Sequence, residues 1–389
     1  VHEVLLSPQF QMSVLLFVAL AGYFVASRIG QSAVIGEILV GIAVGPSLFG
    51  IVTYTGFVHE IANLGAIILL FVIGLEFNLK DILKPRYFII ALIGVIVPWI
   101  MGYALLEIMG YGAAESIFVG TALTATSIAI TANVLKEMGR LETEAARAII
   151  GAAVIDDVLG LIVLSATVSL SDGSFSCMAI LLLLGKTALF LGGGGVLGYF
   201  AFRRFIRFMD GSKLSLRHPE TPFIFSMAIA FAYAAFAELI GLSAIVGAFL
   251  AGSCLGGVAL SNGKNYEEGA DYLRIIFSSI FFVSLGVIAN LRLVTPAILL
   301  LIAVLTAIAI VSKLIGCGVP ARIGGMSVRE SFAVGVGMVP RGEVAMIVAL
   351  IGLGKGIIEQ PVYVAIIMMS LLTTVITPVL LRHLLAKSR

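Results

Sequence analysis

Long apolar runs, separated by short polar segments, recur along the whole chain. Thirteen of them fall at roughly 8–27, 34–52, 61–77, 87–107, 116–135, 148–170, 178–202, 222–238, 241–258, 275–291, 294–317, 330–354 and 361–381. A helix needs about 20 residues to cross the hydrocarbon core of a bilayer, and most of these runs approach that length. Only helices and closed barrels satisfy every backbone group in lipid. The pattern therefore predicts an all-α polytopic membrane protein with thirteen transmembrane helices.

Two pairs of segments repeat. Val34-Ile35-Gly36-Glu37-Ile38-Leu39-Val40-Gly41 matches Ile245-Val246-Gly247-Ala248-Phe249-Leu250-Ala251-Gly252, and Phe71-Val72-Ile73-Gly74 matches Val283-Ser284-Leu285-Gly286. The offsets are 211 and 212 residues, nearly one register. Spans 2–6 and 9–13 then form two five-helix units an odd number of spans apart, so they enter the membrane in opposite directions. Inverted repeats of this kind build many secondary transporters, with the binding site near the midplane.

The repeat also predicts where helices break. Span 5 carries Thr124-Ala125-Thr126-Ser127, and span 12 carries Pro340-Arg341-Gly342 at the corresponding place. Pro340 lacks an N–H, and neighbouring glycines permit irregular backbone. In lipid such breaks survive only against protein or water.

Composition agrees with a membrane domain spanning 1–389. Hydrophobic residues make up 60% of the chain and charged ones 12%, against about 25% charged in soluble domains; mean hydropathy is +1.14. A net charge of +2 gives no basis for nucleic-acid binding. Nineteen of the 24 Lys and Arg lie in alternate loops and the C-terminal tail, while Arg292 and Lys355 alone lie on the other side. The positive-inside rule then sets the N-terminus outside and the C-terminus in the cytoplasm of a cell (inner) membrane protein. The first run reads as a mature helix rather than a signal peptide.

The remaining basic residues, Lys186, Lys313 and Arg341, lie inside spans, as do Asp156 and Asp157. Each ionised side chain at mid-membrane costs roughly 3 kcal/mol on insertion scales. Neighbours on a helix project about 100° apart, so one aspartate can face a partner helix while the other faces a cavity. Asp157 is read as the ligand of a cation and of protons, Asp156 as the partner of Lys313. Thr126 and Ser127 offer either hard oxygen ligands or helix caps. Glu343 either neutralises a basic group or ligates the ion, and Arg341 reads as structural. Cys177, Cys254 and Cys317 read as small buried hydrophobes. No P-loop, dinucleotide fingerprint or histidine cluster occurs, so no cofactor is expected beyond the transported ions.

Val154-Ile155-Asp156-Asp157-Val158-Leu159-Gly160, Thr124 to Thr131, Lys313 and Pro340-Arg341-Gly342-Glu343 together resemble the bacterial sodium/proton antiporters of the cation:proton antiporter-2 family, of the NapA type. The resemblance implies two discontinuous helices, spans 5 and 12, crossing in an antiporter fold. It implies an ion-translocating core at about 87–170 and 294–385, a dimerisation scaffold at about 1–80 and 241–291, and a linker helix at about 178–202. Carried over, Asp157 binds sodium or lithium and protons in turn, and Asp156 pairs with Lys313. The acid pair with Lys313 favours electrogenic sodium/proton exchange by a homodimer. Potassium/proton exchange, by a relative without its regulatory nucleotide-binding domain, is the runner-up. Adjacent acids on one helix aim poorly at a single water, which disfavours an intramembrane aspartyl protease; a channel would need a continuous lined pore.

Overall fold

The computed structural model describes residues 7–76, 84–171, 177–258, 260 and 263–385. The described residues fold as helices. In chain order they include α1 (Pro8–Ile29), α2 (Ala33–Val44), α3 (Gly56–Leu75), α4 (Pro85–Ile108), α5 (Ala113–Thr124), α6 (Ile128–Glu137) and α7 (Glu144–Ser171). There follow α8 (Cys177–Leu189), α9 (Thr221–Leu239), α10 (Ala244–Leu255), α11 (Gly263–Ile288) and α12 (Pro296–Lys313). The last three are α13 (Val328–Gly337), α14 (Glu343–Gly354) and α15 (Gln360–Leu385). Ten helical stretches among the described residues are long and apolar enough to cross a membrane, and Ala33–Val44, Ala244–Leu255 and Val344–Gly354 are shorter apolar helices.

Local chemistry explains the ends. Ser7 caps α1 by accepting from the Phe10 amide, with Pro8 opening the helix, and Gly30 closes it in the left-handed region at φ 64°. Ser327 and Glu330 form a reciprocal capping box at the start of α13. The second apolar run, expected over 34–52, ends as a helix at Val44. Gly45 and Pro46 stop it there, and the apolar residues Leu48, Phe49 and Ile51 that follow are exposed.

The chain divides into two compact units, 1–58 with 84–176 and 282–389, and 59–83 with 177–281. In the first, α4 packs on α5, α7 and α12, α12 on α15, and α14 on α5 and α15. α2 meets the end of α11 backbone to backbone. A Cβ on Gly41 would lie 2.3 Å from the Val283 carbonyl oxygen, and one on Gly286 would lie 2.2 Å from that of Ile38. In the second unit, α3 and α10 meet the same way: a Cβ on Gly74 would lie 2.6 Å from the Phe249 oxygen, and one on Gly252 2.2 Å from that of Phe71. Such approaches need residues without side chains, the usual device where helices associate in lipid. Many large apolar side chains face outward, among them Phe17, Phe24 and Leu189. Polar side chains such as Thr126, Asp156, Lys313 and Arg341 are buried. This is the distribution of a protein dissolved in hydrocarbon.

Replacing Gly286 by Leu forces the Ile38 backbone away, at the roughly 1–3 kcal/mol typical of overpacking or more. Its thermal midpoint in detergent should fall by several degrees, whereas Gly56→Ala, where nothing lies within 4 Å of the added Cβ, should leave it unchanged. Equal midpoints for wild type and Gly286→Leu would refute the contact.

Candidate functional site

Two helices stop inside the first unit. α5 ends at Thr124 and α6 resumes at Ile128; α13 ends at Gly337 and α14 resumes at Glu343. The two gaps touch. The Ser127 amide donates to the Pro340 carbonyl at 2.8 Å. The Thr126 hydroxyl donates to the Met338 carbonyl at 3.3 Å, and that of Thr131 to the Gly337 carbonyl at 2.6 Å. A Cβ on Gly342 would lie 2.9 Å from Ser127 Cβ and Oγ, so the close approach needs glycine. Ala125, in the same gap, is buried.

The terminal carbonyls of an α-helix lack intrahelical partners and carry partial negative charge. Each broken helix here receives a cation. Lys313 Nζ, fully buried, donates to the Thr124 carbonyl at 2.9 Å and to Asp156 Oδ1 at 3.1 Å. Arg341, also fully buried, donates through Nη1 to the carbonyls of Met338 (3.2 Å) and Val339 (2.7 Å) and through Nη2 to that of Ala309 (3.3 Å). It therefore closes the end of α13 and ties it to α12.

Lys313 is the last residue of α12, and the chain continues as a π-helical turn, Leu314–Gly318. Pro320 has no N–H to offer the Gly316 carbonyl four residues back, which removes one α-helical bond and favours the wider turn. Gly94 on α4 lets that turn approach: a Cβ there would lie 2.5 Å from Cys317 Sγ.

The paired aspartates sit on α7. Asp156 is fully buried, with the Thr126 hydroxyl also facing its carboxylate; its Oδ2 has no hydrogen-bond partner among the described residues. Asp157 is half-buried. Adjacent positions on one helix thus have different surroundings, one enclosed and one partly open. The structure brings Asp156, Lys313, Thr124, Thr126, Ser127, Pro340, Arg341 and Gly342 to this meeting of breaks. Glu343 opens α14, but its side chain lies outside the described residues, as does that of Cys177. Cys254 and Cys317 are buried free thiols.

Sequence reasoning did not single out Thr373 and Thr374 on α15. Thr373 Oγ1 accepts from the Arg341 amide at 3.3 Å, and the Thr374 hydroxyl donates to the Arg341 carbonyl at 3.2 Å. Their signal was present: Ser370, Thr373, Thr374 and Thr377 recur at helical spacing on one buried face of an apolar span.

The chain matches the family model "Sodium/hydrogen exchanger, transmembrane" over residues 14–387. It is 33% identical over 383 residues to the Na(+)/H(+)-K(+) antiporter GerN of Bacillus cereus, covering 96% of this chain and 95% of that protein. It is 34% identical over 380 residues to a Na(+)/H(+) antiporter of Enterococcus hirae, covering 94% and 95%. Its fold is like that of the sodium proton antiporter MjNhaP1 from Methanocaldococcus jannaschii, solved at pH 8, with a TM-score of 0.68 at 17% identity over 96% of each chain. An all-helical, multi-pass membrane protein matched over almost its full length in this way belongs to the sodium/hydrogen exchanger family of transmembrane antiporters.

Proposed function

We propose that this chain exchanges sodium or lithium for protons electrogenically, with ion and protons competing for Asp157. One observation carries the reading: Asp157 is half-buried beside a fully buried Lys313–Asp156 pair where two broken helices meet. An entering sodium ion displaces two protons, one held by the Lys313–Asp156 pair and one on Asp157, so each cycle moves one net charge and the cargo is carried at Asp157. A sodium ion or proton bound there lowers the cost of carrying the site past a hydrophobic barrier, and a bare carboxylate stays behind. Thr126, Ser127 and the uncommitted Asp156 Oδ2 supply further oxygens for a hard cation.

The cycle is alternating access about an inverted repeat of thirteen spans, the N-terminus outside and the C-terminus cytoplasmic, in a homodimer. The core of about 87–170 and 294–385 moves, the scaffold of about 1–80 and 241–291 stays, and the helix of about 178–202 links them. The glycine contacts support the repeat. Under its offsets Gly41 corresponds to Gly252 and Gly74 to Gly286, so the Gly41–Gly286 contact and the Gly74–Gly252 contact are one contact seen twice. A second reading, potassium as an alternative cargo, is favoured by the similarity to GerN, whose name couples sodium, protons and potassium.

Asp157→Asn should abolish proton efflux driven by a sodium or lithium gradient in proteoliposomes, with the thermal midpoint retained; undiminished exchange would remove Asp157 from the mechanism. Running the assay with sodium, lithium and potassium at clamped voltage separates the two cargo readings. Lys313→Ala strands both Asp156 and the Thr124 carbonyl. Breaking a buried pair from one side costs about 3–5 kcal/mol, so the midpoint should drop sharply, and Lys313→Met with Asp156→Asn should recover part of it. A single mutant as stable and as voltage-sensitive as wild type would refute the pairing.

A further inference from the structure

Lys186 is a charge inside an apolar span that the exchange site leaves without a role. It lines one end of an apolar groove of about 640 Å³ in the second unit. The groove runs along the helical stretch 186–202, past Leu189, Gly193, Gly194 and Leu197, with Ala228, Ala232 and Phe236 of α9 on its other wall. Its floor is three rings: Phe190 and Phe202 stand 5.9 and 6.0 Å from Tyr233. Glycines and alanines hollow it, and two π-helical turns, Phe190–Gly194 and Gly198–Phe202, widen the helix along it. The Tyr233 hydroxyl is spent on the Gly194 carbonyl at 2.6 Å. Lys186 is then the one charged group that lines it, and no acid is paired with it among the described residues.

Arg203, Arg204 and Arg207 follow on the same helical stretch. Arg203 lies seventeen positions beyond Lys186, about 26 Å at the α-helical rise and close to the roughly 30 Å of a hydrocarbon core. With the arginines at one headgroup layer, the Lys186 ammonium reaches the other.

We propose that the groove binds one anionic phospholipid from the leaflet opposite the arginines, its headgroup phosphate on Lys186 and one acyl chain lying along the slot toward Phe202. The lining suits hydrocarbon and offers nothing to water. A headgroup phosphate cancels a charge that lipid otherwise penalises. A second copy of this chain seated on the same face about a two-fold axis would bring two Lys186 ammonium groups together, which favours lipid as the occupant.

The test is native mass spectrometry of delipidated protein titrated with phosphatidylglycerol and phosphatidylcholine of identical chains, with thermal midpoints in the same detergent as a folding check. Wild type should retain one phosphatidylglycerol in preference to phosphatidylcholine. Lys186→Met should cut that preference roughly fivefold, the weight of one basic side chain at an anionic surface. Ala232→Trp, which fills the groove, should weaken both lipids, and Arg204→Gln should leave the preference intact. The site is refuted if Lys186→Met keeps the preference, if the preference moves with Arg204, or if Ala232→Trp binds as wild type does. It is equally refuted if Lys186→Met changes the dimer fraction and not lipid binding.

Discussion

Two helices that stop in the middle of a membrane protein expose carbonyls that hydrocarbon cannot satisfy, and the architecture around the site answers that constraint. An unsatisfied backbone group in lipid costs several kcal/mol. Lys313 reaches the end of α5 and Arg341 the end of α13, each bringing donors and positive charge to a place of partial negative charge. Both are themselves costly to bury. Arg341 distributes its charge over three carbonyls, and Lys313 is balanced by Asp156. Removing Lys313 would strand a carboxylate and a carbonyl, and removing Arg341 three carbonyls, so each break depends on its cation.

Adjacency of Asp156 and Asp157 was readable as chemistry because a helix turns neighbours about 100° apart. Their difference in burial follows from that geometry together with what packs against α7 in each direction. Pro340 and the polar cluster at Thr124 to Ser127 were likewise legible, since each conflicts locally with an unbroken apolar helix. Arg341 was legible as a structural charge at the break, but its partners were not: its clamp on Ala309 joins segments 32 residues apart, a relation that only tertiary packing creates. Thr373 and Thr374 hid for the opposite reason: their hydroxyls also back-bond within α15, so they fit an apolar helix without visible conflict. The end of α2 was misjudged because hydropathy does not separate an apolar helix from an exposed apolar loop, and Leu48, Phe49 and Ile51 belong to the loop.

Backbone-on-backbone glycine contacts and the charged breaks stand at opposite ends of a scale of adjustability. A Cβ at Gly286 or Gly252 would sit 2.2 Å from a carbonyl oxygen, and dense packing of that kind is bistable at best, with no room for gradual sliding. At the breaks, by contrast, the chain is held by polar bonds to Ser127, Thr126 and Arg341 across irregular backbone. Polar bonds can be exchanged one for another as geometry changes, whereas a glycine seam can only be kept or lost. In the proposed cycle that division of labour is what exchange requires. The seams keep their helices in fixed register, and the cancelled charges at Lys313 and Asp156 keep the moving site nearly neutral. What varies in that cycle is whether Asp157 and the Lys313–Asp156 pair hold sodium or protons, never both at once.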